Sequence, residues 1–128
     1  MRYLLDTHAF IWLLRDDPKL RPRVRERIEG RRVALYLSAA SVFEIVNKHR
    51  TGKLPQLDDL VPHLSRIIEA SGLQRLPITE PHVLRSAKLS TTHKDPFDRI
   101  LMAQALVEDL TFISNEKVAD EVGVRRLW

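Results

Sequence analysis

The sequence has no cysteine, so neither disulfides nor a thiolate metal site can contribute, which suits a reducing cytosol. It also lacks any apolar stretch approaching the ~18 residues a membrane span requires. Its opening, Met1-Arg2-Tyr3-Leu4-Leu5-Asp6, sets a carboxylate inside what would be the apolar run of a secretory leader. A cytoplasmic protein with no membrane partner is the expectation. No internal repeat, low-complexity tract or linker interrupts the chain, so residues 1–128 are read as one domain, long enough to bury a core without staples. A G-x-x-x-x-G-K-[ST] segment is missing, which argues against a P-loop nucleotide site. The histidines His8, His49, His63, His82 and His93 show no H-E-x-x-H spacing, so zinc is not expected. His8 and His93 flank acidic motifs and are expected at the surface or behind metal ligands.

What is present is an ordinary globular composition, 44% hydrophobic and 30% charged, with a net charge of +4. Arginines crowd one segment, from Arg21 through Arg23, Arg25 and Arg27 to Arg31 and Arg32. Such a patch suits a polyanion. It equally suits a solvated helix face, because Glu26 and Glu29 are interspersed.

Short apolar runs alternate with helical patterns. Tyr3 to Leu5 reads as a strand ending in Asp6, followed by a helix over His8 to Leu14. Asp17 with Pro18 predicts a second helix carrying the stripe Leu20, Val24 and Ile28 and ending at Gly30. Val33 to Leu37 is an uninterrupted apolar run, as in a strand buried on both faces. Ser41-Val42-Phe43-Glu44 has the form of a capping box, opening a helix towards Gly52. Leu57 to Ile68 predicts another amphipathic helix stopped near Gly72, and Leu76 to Ile78 a short strand demoted to an edge by Pro77. Thr79 caps a further helix, Asp95-Pro96-Phe97-Asp98 begins the last long one, and Leu110–Ile113 and Val124–Leu127 read as strands. Strands alternating with helices predict an α/β fold with a parallel sheet covered on both faces.

That arrangement gives four carboxylates a shared address. Asp6 ends the first strand, Glu44 and Asp98 lie in first turns of helices, and Glu116 follows the strand that ends at Ile113. In a parallel sheet these positions fall on one edge, where ligands bind. Carboxylates crowded there repel unless a cation neutralises them, and oxygen-only donors favour a hard ion such as Mg²⁺ or Mn²⁺. Each also has a plain structural role open to it. Glu44 can complete the box with Ser41 and pair with Lys48, Asp95 and Asp98 can open a helix, Asp6 can cap one, and Glu116 can be a loop residue.

The residues themselves carry a resemblance. Leu4-Leu5-Asp6-Thr7-His8, Ser41-Val42-Phe43-Glu44-Ile45, Lys48, Gly52-Lys53-Leu54 and His93-Lys94-Asp95-Pro96-Phe97-Asp98-Arg99 occur in the order seen in VapC-type PIN domains. Ile100 to Ala105, the Ser114-x-Glu116 turn and terminal Leu127-Trp128 continue it, so it covers essentially the whole chain. The resemblance implies a three-layer α/β/α fold with a five-stranded parallel sheet. It further implies a Mg²⁺-dependent endoribonuclease, with Mn²⁺ as substitute, that hydrolyses RNA by metal-activated water. Asp6, Glu44 and Asp98 are then the metal carboxylates and catalytic residues, with Glu116 assisting directly or through water. Thr7 is implied to orient Asp6 or the metal water, and Asp95 to cap the helix or stand behind the ligands. Arg99 is implied either to contact the scissile phosphate or to tie down a carboxylate. A cognate VapB-like antitoxin of a type II toxin–antitoxin pair is implied as partner, with a homodimer or hetero-oligomer as assembly.

One departure stands out: the family pattern Thr-x-Asp is here Ser114-Asn115-Glu116. Ser114 keeps the hydroxyl, but glutamate reaches one methylene further, which puts a second metal site in question. Two rivals follow. A haloacid-dehalogenase-like phosphatase with Asp6 as nucleophile needs an acid two residues on, where this chain has His8. A non-catalytic PIN module that binds RNA or sequesters an antitoxin rests on Glu116 alone. The apolar patches at Phe10 to Leu13 and Leu57 to Ile68 are open to reading as core or as interface.

Overall fold

The computed structural model describes residues 1–128. In chain order the elements are β1 (Arg2–Leu5), α1 (Thr7–Leu14), α2 (Pro22–Ile28), β2 (Ala34–Ser38) and α3 (Ala39–Arg50). Two short 3-10 turns, Pro55–Leu57 and Val61–His63, lead into α4 (Leu64–Ser71). Then come β3 (Gln74–Leu76), α5 (Glu80–Ala87), α6 (Pro96–Val107), β4 (Thr111–Ile113), α7 (Val118–Glu121) and β5 (Arg126–Leu127). All five strands are parallel, in the order β3-β2-β1-β4-β5. No helix is long and apolar enough to cross a membrane.

The pleat explains the layers. Successive residues of β1 point to opposite faces, and both faces are covered, since Tyr3, Leu4 and Leu5 are all at most 1% exposed. Tyr3 and Leu5 join Phe10, Val24, Ile45, Ile68 and Ile113 in one cluster. Leu4 and Phe112 join Leu101, Met102 and Ala105 in the other. One sheet between two helical layers is the expected α/β/α architecture. Phe10, Leu57, Leu60, Leu64 and Ile68 are core residues, while Ile11, Trp12, Leu13, Val61 and Ile67 pack against that core half-buried.

Several local expectations are corrected. The second helix begins at Pro22 rather than Pro18. A helix running through Pro22 would lack one N–H and would clash with the carbonyl of residue 18. Asp17 instead closes a turn, its Oδ1 accepting from Lys19 N at 2.9 Å, while Leu20, Val24 and Ile28 remain buried as a stripe. The helix predicted from Ser41 starts at Ala39, because β2 passes straight into it and Ser38 takes the capping position. Ser38 Oγ accepts from Ala40 N at 2.9 Å. Ser41 and Glu44 therefore form no box and lie inside the helix, with their side chains free for the site. The long helix over Leu57–Ile68 is broken into turns ahead of α4, as Pro62 requires. The edge strand ends at Leu76, so Pro77 follows β3 rather than sitting in it. The four-residue α7 has no periodic signal and was not anticipated from the sequence.

Gly72 closes α4 in the left-handed region, at φ +76°. A methyl group there would meet nothing within 4 Å, so only backbone strain opposes it. Gly72→Ala is expected to lower stability by about 1 kcal/mol, read as a shifted urea midpoint with an unchanged m-value.

Candidate active site

β1 is the strand at which the connection order reverses, with β2 on one side and β4 on the other. Chains leaving the carboxyl ends of β1 and β4 diverge and leave a crevice there. Asp6 stands at its base. Its backbone N–H donates to Ile113 O at 3.0 Å, and its side chain caps α1 by accepting from Thr7 N at 2.6 Å through Oδ1. Ser114 Oγ, just beyond β4, donates to Asp6 Oδ2 at 2.6 Å. Burial pushes the Asp6 carboxyl up to about 6; the Ser114 hydroxyl works against that shift, and the Asp98 charge adds to it.

Glu44, on the second turn of α3, is 4% exposed. Thr7 Oγ1 donates to its Oε1 at 2.7 Å and lies 3.0 Å from the Ser41 hydroxyl. Lys48, one turn on, pairs with Oε2. Burial alone would lower the lysine pKa, but the hydrogen bond and charge of Glu44, with Asp95 and Asp98 behind it, hold it above the ordinary value.

The third wall is the start of α6. Asp95 is its N-cap, Oδ1 accepting from Phe97 N at 2.9 Å and from Asp98 N at 3.2 Å. Asp98, in the first turn, accepts from His93 Nε2 at 2.8 Å. Burial raises its pKa; the His93 hydrogen bond opposes this and the Asp95 charge reinforces it. The same hydrogen bond to Asp98 raises His93 above the usual imidazole range. Glu116 reaches in from the loop after β4, its backbone N–H held by Ser114 Oγ at 2.9 Å. Ser114 thus fixes Asp6 with its proton and positions Glu116 with its lone pair.

Asp6, Glu44, Asp98 and Glu116, the four carboxylates selected from the sequence, line one open cleft of about 280 Å³ together with Asp95. Lys48, His8, Trp12 and Asn115 complete its walls. His93 sits against Asp98 rather than on a free surface, and the sequence signal for it was its place five residues before that acid. The arginine-rich segment does not line the cleft. It enters β2 at its amino end, where Arg32 O accepts from the Met1 amino group at 3.1 Å, and this is the opposite edge of the sheet.

Of the two roles open to Arg99, tying down a carboxylate is set aside. The side chain pairs with no carboxylate and instead donates to three backbone carbonyls, Thr91 O at 3.1 Å, His93 O at 2.8 Å and Ser86 O at 2.7 Å. The planar guanidinium fork suits this geometry, and a lysine does not reproduce it. Arg99→Lys is expected to cost about 2 kcal/mol in stability, measured by thermal melting. A variant that melts like the wild type yet binds RNA poorly would make Arg99 a phosphate contact instead.

The donor set fits a divalent cation. Carboxylate oxygens dominate, no thiolate is near, and the raised pKa values of Asp6 and Asp98 reflect buried negative charge that a bound cation relieves. The Asp, Glu and His donors whose ligand atoms all lie within 4.8 Å of one another are His93, Asp98 and Glu116.

Comparison with known proteins bears on the fold and the family. No curated protein matches the sequence. Among solved structures, VapBC2 from Rickettsia felis, bound to a DNA fragment from its promoter, superposes with a TM-score of 0.74 at 14% identity, over 99% of this chain and 98% of the other. VapBC-1 from nontypeable Haemophilus influenzae gives 0.71 at 20% identity, covering 99% and 97%. FitAcB from Neisseria gonorrhoeae gives 0.67 at 24% identity, covering 100% and 97%. These likenesses establish the fold. The sequence profile of the PIN domain matches residues 3–124, which takes in every carboxylate of the cleft, and the chain belongs to the PIN-domain family.

Proposed function

We propose that this chain is a divalent-metal-dependent endoribonuclease that hydrolyses RNA phosphodiester bonds, and that it is the toxin of a VapBC-like pair. The observation that carries the reading is the convergence of Asp6, Glu44, Asp98 and Glu116 on one cleft at the switch point of the sheet. Family membership supports it, since PIN domains are generally nucleases. A divalent ion held by these carboxylates, Mg²⁺ or Mn²⁺, supplies the activation of water and the neutralisation of phosphate charge.

The chain's own groups do the rest. Thr7 and Ser114 spend their hydroxyl protons on Glu44 and Asp6, which fixes the orientation of both carboxylates before substrate arrives. Lys48 offers a positive charge to a phosphate oxygen at the cleft wall. Trp12, with its ring 5.7 Å from that of His8, presents an aromatic surface on which an unpaired base can stack. Asp95, with its oxygen committed to the start of α6, acts by placing Asp98.

A VapB-like antitoxin is the proposed partner, because the solved neighbours are toxin–antitoxin complexes. An apolar groove of about 670 Å³ between α3, α4 and β3, with Phe43 60% exposed at its rim, offers a seat for an antitoxin helix. An acidic antitoxin segment suits the net charge of +4, and an arginine from it can sit among the carboxylates. Val83 and Leu84, exposed on α5, supply apolar surface for a dimer.

The test is RNA cleavage by purified chain freed of antitoxin, in Mg²⁺, in Mn²⁺ and in chelator, beside Asp98→Asn. Cleavage that needs the ion and disappears in the variant is the expected result. A folded protein that binds RNA without cutting it, indifferent to metal, would overturn the nuclease reading in favour of a non-catalytic module.

A further inference from the structure

We propose that His93 is a direct metal ligand, and that with Asp98 and Glu116 it forms a seat selecting a first-row transition ion over Mg²⁺. The inference rests on the metal-dependent reading above and adds to it the identity of a donor and the class of ion preferred.

The geometry comes first. Ligand atoms of His93, Asp98 and Glu116 all lie within 4.8 Å of one another. Donors bonded to a divalent ion at about 2.1 Å stand roughly 3 Å apart when adjacent and about 4.2 Å when opposed. The three groups are therefore within a small side-chain adjustment of enclosing an ion. His93 and Asp98 share one segment, the loop before α6 and its first turn, and the fold brings Glu116 to them from the loop after β4.

Ligation through His93 displaces the proton that Nε2 donates to Asp98, so it is the main chain that must keep the ring in place. The His93 backbone N–H donates to Thr91 Oγ1 at 3.1 Å and its carbonyl accepts from Arg99 at 2.8 Å. The main chain is thus pinned on both sides while the ring points at Asp98. Arg99, which the cleavage site leaves unused, acquires a purpose as the clamp that delivers the imidazole. Glu116 also gains a reason for its length. An aspartate at 116 stops one methylene short of a carboxylate that here reaches the His93–Asp98 pair.

Chemistry then sets the preference. Mg²⁺ keeps oxygen donors and several waters and gains little from an imidazole. Fe²⁺, Co²⁺ and, more weakly, Mn²⁺ accept nitrogen and carboxylate oxygen together. One imidazole and two carboxylates leave open positions on such an ion.

The probe is Mn²⁺ added to the purified wild-type chain, read by pulsed electron paramagnetic resonance, with isothermal titration for affinity. The expected result is a ¹⁴N coupling from a directly bound imidazole that vanishes in His93→Ala and persists in His8→Ala. Mn²⁺ affinity is expected to fall about tenfold or more in His93→Ala, with Mg²⁺ affinity changed less than about threefold. Should His93→Ala fail to fold, His8→Ala decides: coupling that persists there supports His93. Bound Mn²⁺ without ¹⁴N coupling, or coupling lost only in His8→Ala, overturns the assignment and leaves the carboxylate reading intact. Failure of the wild type to bind any divalent ion overturns both.

Discussion

Asp6→Asn is expected to make the metal-free protein more stable at pH 7 while removing most of the RNA cleavage proposed above. The two effects share one cause. Burial raises the Asp6 carboxyl from 3.8 to about 6, so the native state binds a proton that the unfolded chain has already released. The contribution of this group to native stability is then full below pH ~4, falls as pH rises through the interval up to about 6, and is gone above it. A displacement of about 2 pH units corresponds to about 3 kcal/mol, which is the ceiling of the effect. Asparagine removes the charge and keeps the contacts: Oδ1 still accepts from Thr7 N, and Nδ2 donates to Ser114 Oγ. After the cost of the buried amide, about 1–2 kcal/mol of gain is expected, a rise in melting temperature of several degrees. Melts in chelator between pH 4 and 7 test the sign: the wild type loses stability across that interval and Asp6→Asn loses much less. Asp98, also raised by burial, leaves part of the slope in the variant. Cleavage should fall by at least about 100-fold, the loss of an ion's charge stabilisation. A variant no more stable than wild type at pH 7 would refute the burial argument, and a wild-type rate would remove Asp6 from the site.

Lys48→Met should produce the second large effect, and here the metal reverses it. Glu44 is buried, with its Oε2 neutralised by Lys48. Removing the ammonium strands a carboxylate whose remaining donor is Thr7 Oγ1. Breaking a fully buried pair costs about 3–5 kcal/mol. The Lys48 side chain is 32% exposed, so solvent screening reduces the figure to about 2 kcal/mol. A divalent ion in the cleft takes over the lysine's task, so saturating Mn²⁺ should stabilise Lys48→Met by more than it stabilises the wild type. Urea denaturation of both proteins, with chelator and with Mn²⁺, gives the four free energies needed. Equal losses in the two conditions would mean that Lys48 acts through packing alone and shares no charge with the metal seat.

Much of the site was legible before the fold. Asp6, Glu44, Asp98 and Glu116 could be assigned to one edge of a sheet because a parallel α/β alternation puts strand ends and helix starts on the same side. Apolar runs at Tyr3–Leu5 and Val33–Leu37 carried that topology, since strands buried on both faces need no alternation. Local boundaries were less legible wherever two signals competed. Pro18 offers a helix start, but a helix from there would run through Pro22, which lacks an N–H and clashes with the preceding turn, so the helix begins at Pro22. Ser41 reads as the cap of the next helix, and the direct passage of β2 into α3 gives that role to Ser38 instead.

The sequence by itself determined the sheet, the covering of both its faces and the four acids of the cleft, because periodicity and strand ends are one-dimensional properties. Only the tertiary structure decided what surrounds those acids. Ser114 donates to Asp6 across 108 positions and Thr7 to Glu44 across 37. Glu116 joins His93 and Asp98 from a separate loop, and Arg99 turns away from charge to hold a loop. Such pairings depend on directed hydrogen bonds whose geometry exists only once both cores have closed on the sheet, and no spacing along the chain encodes them.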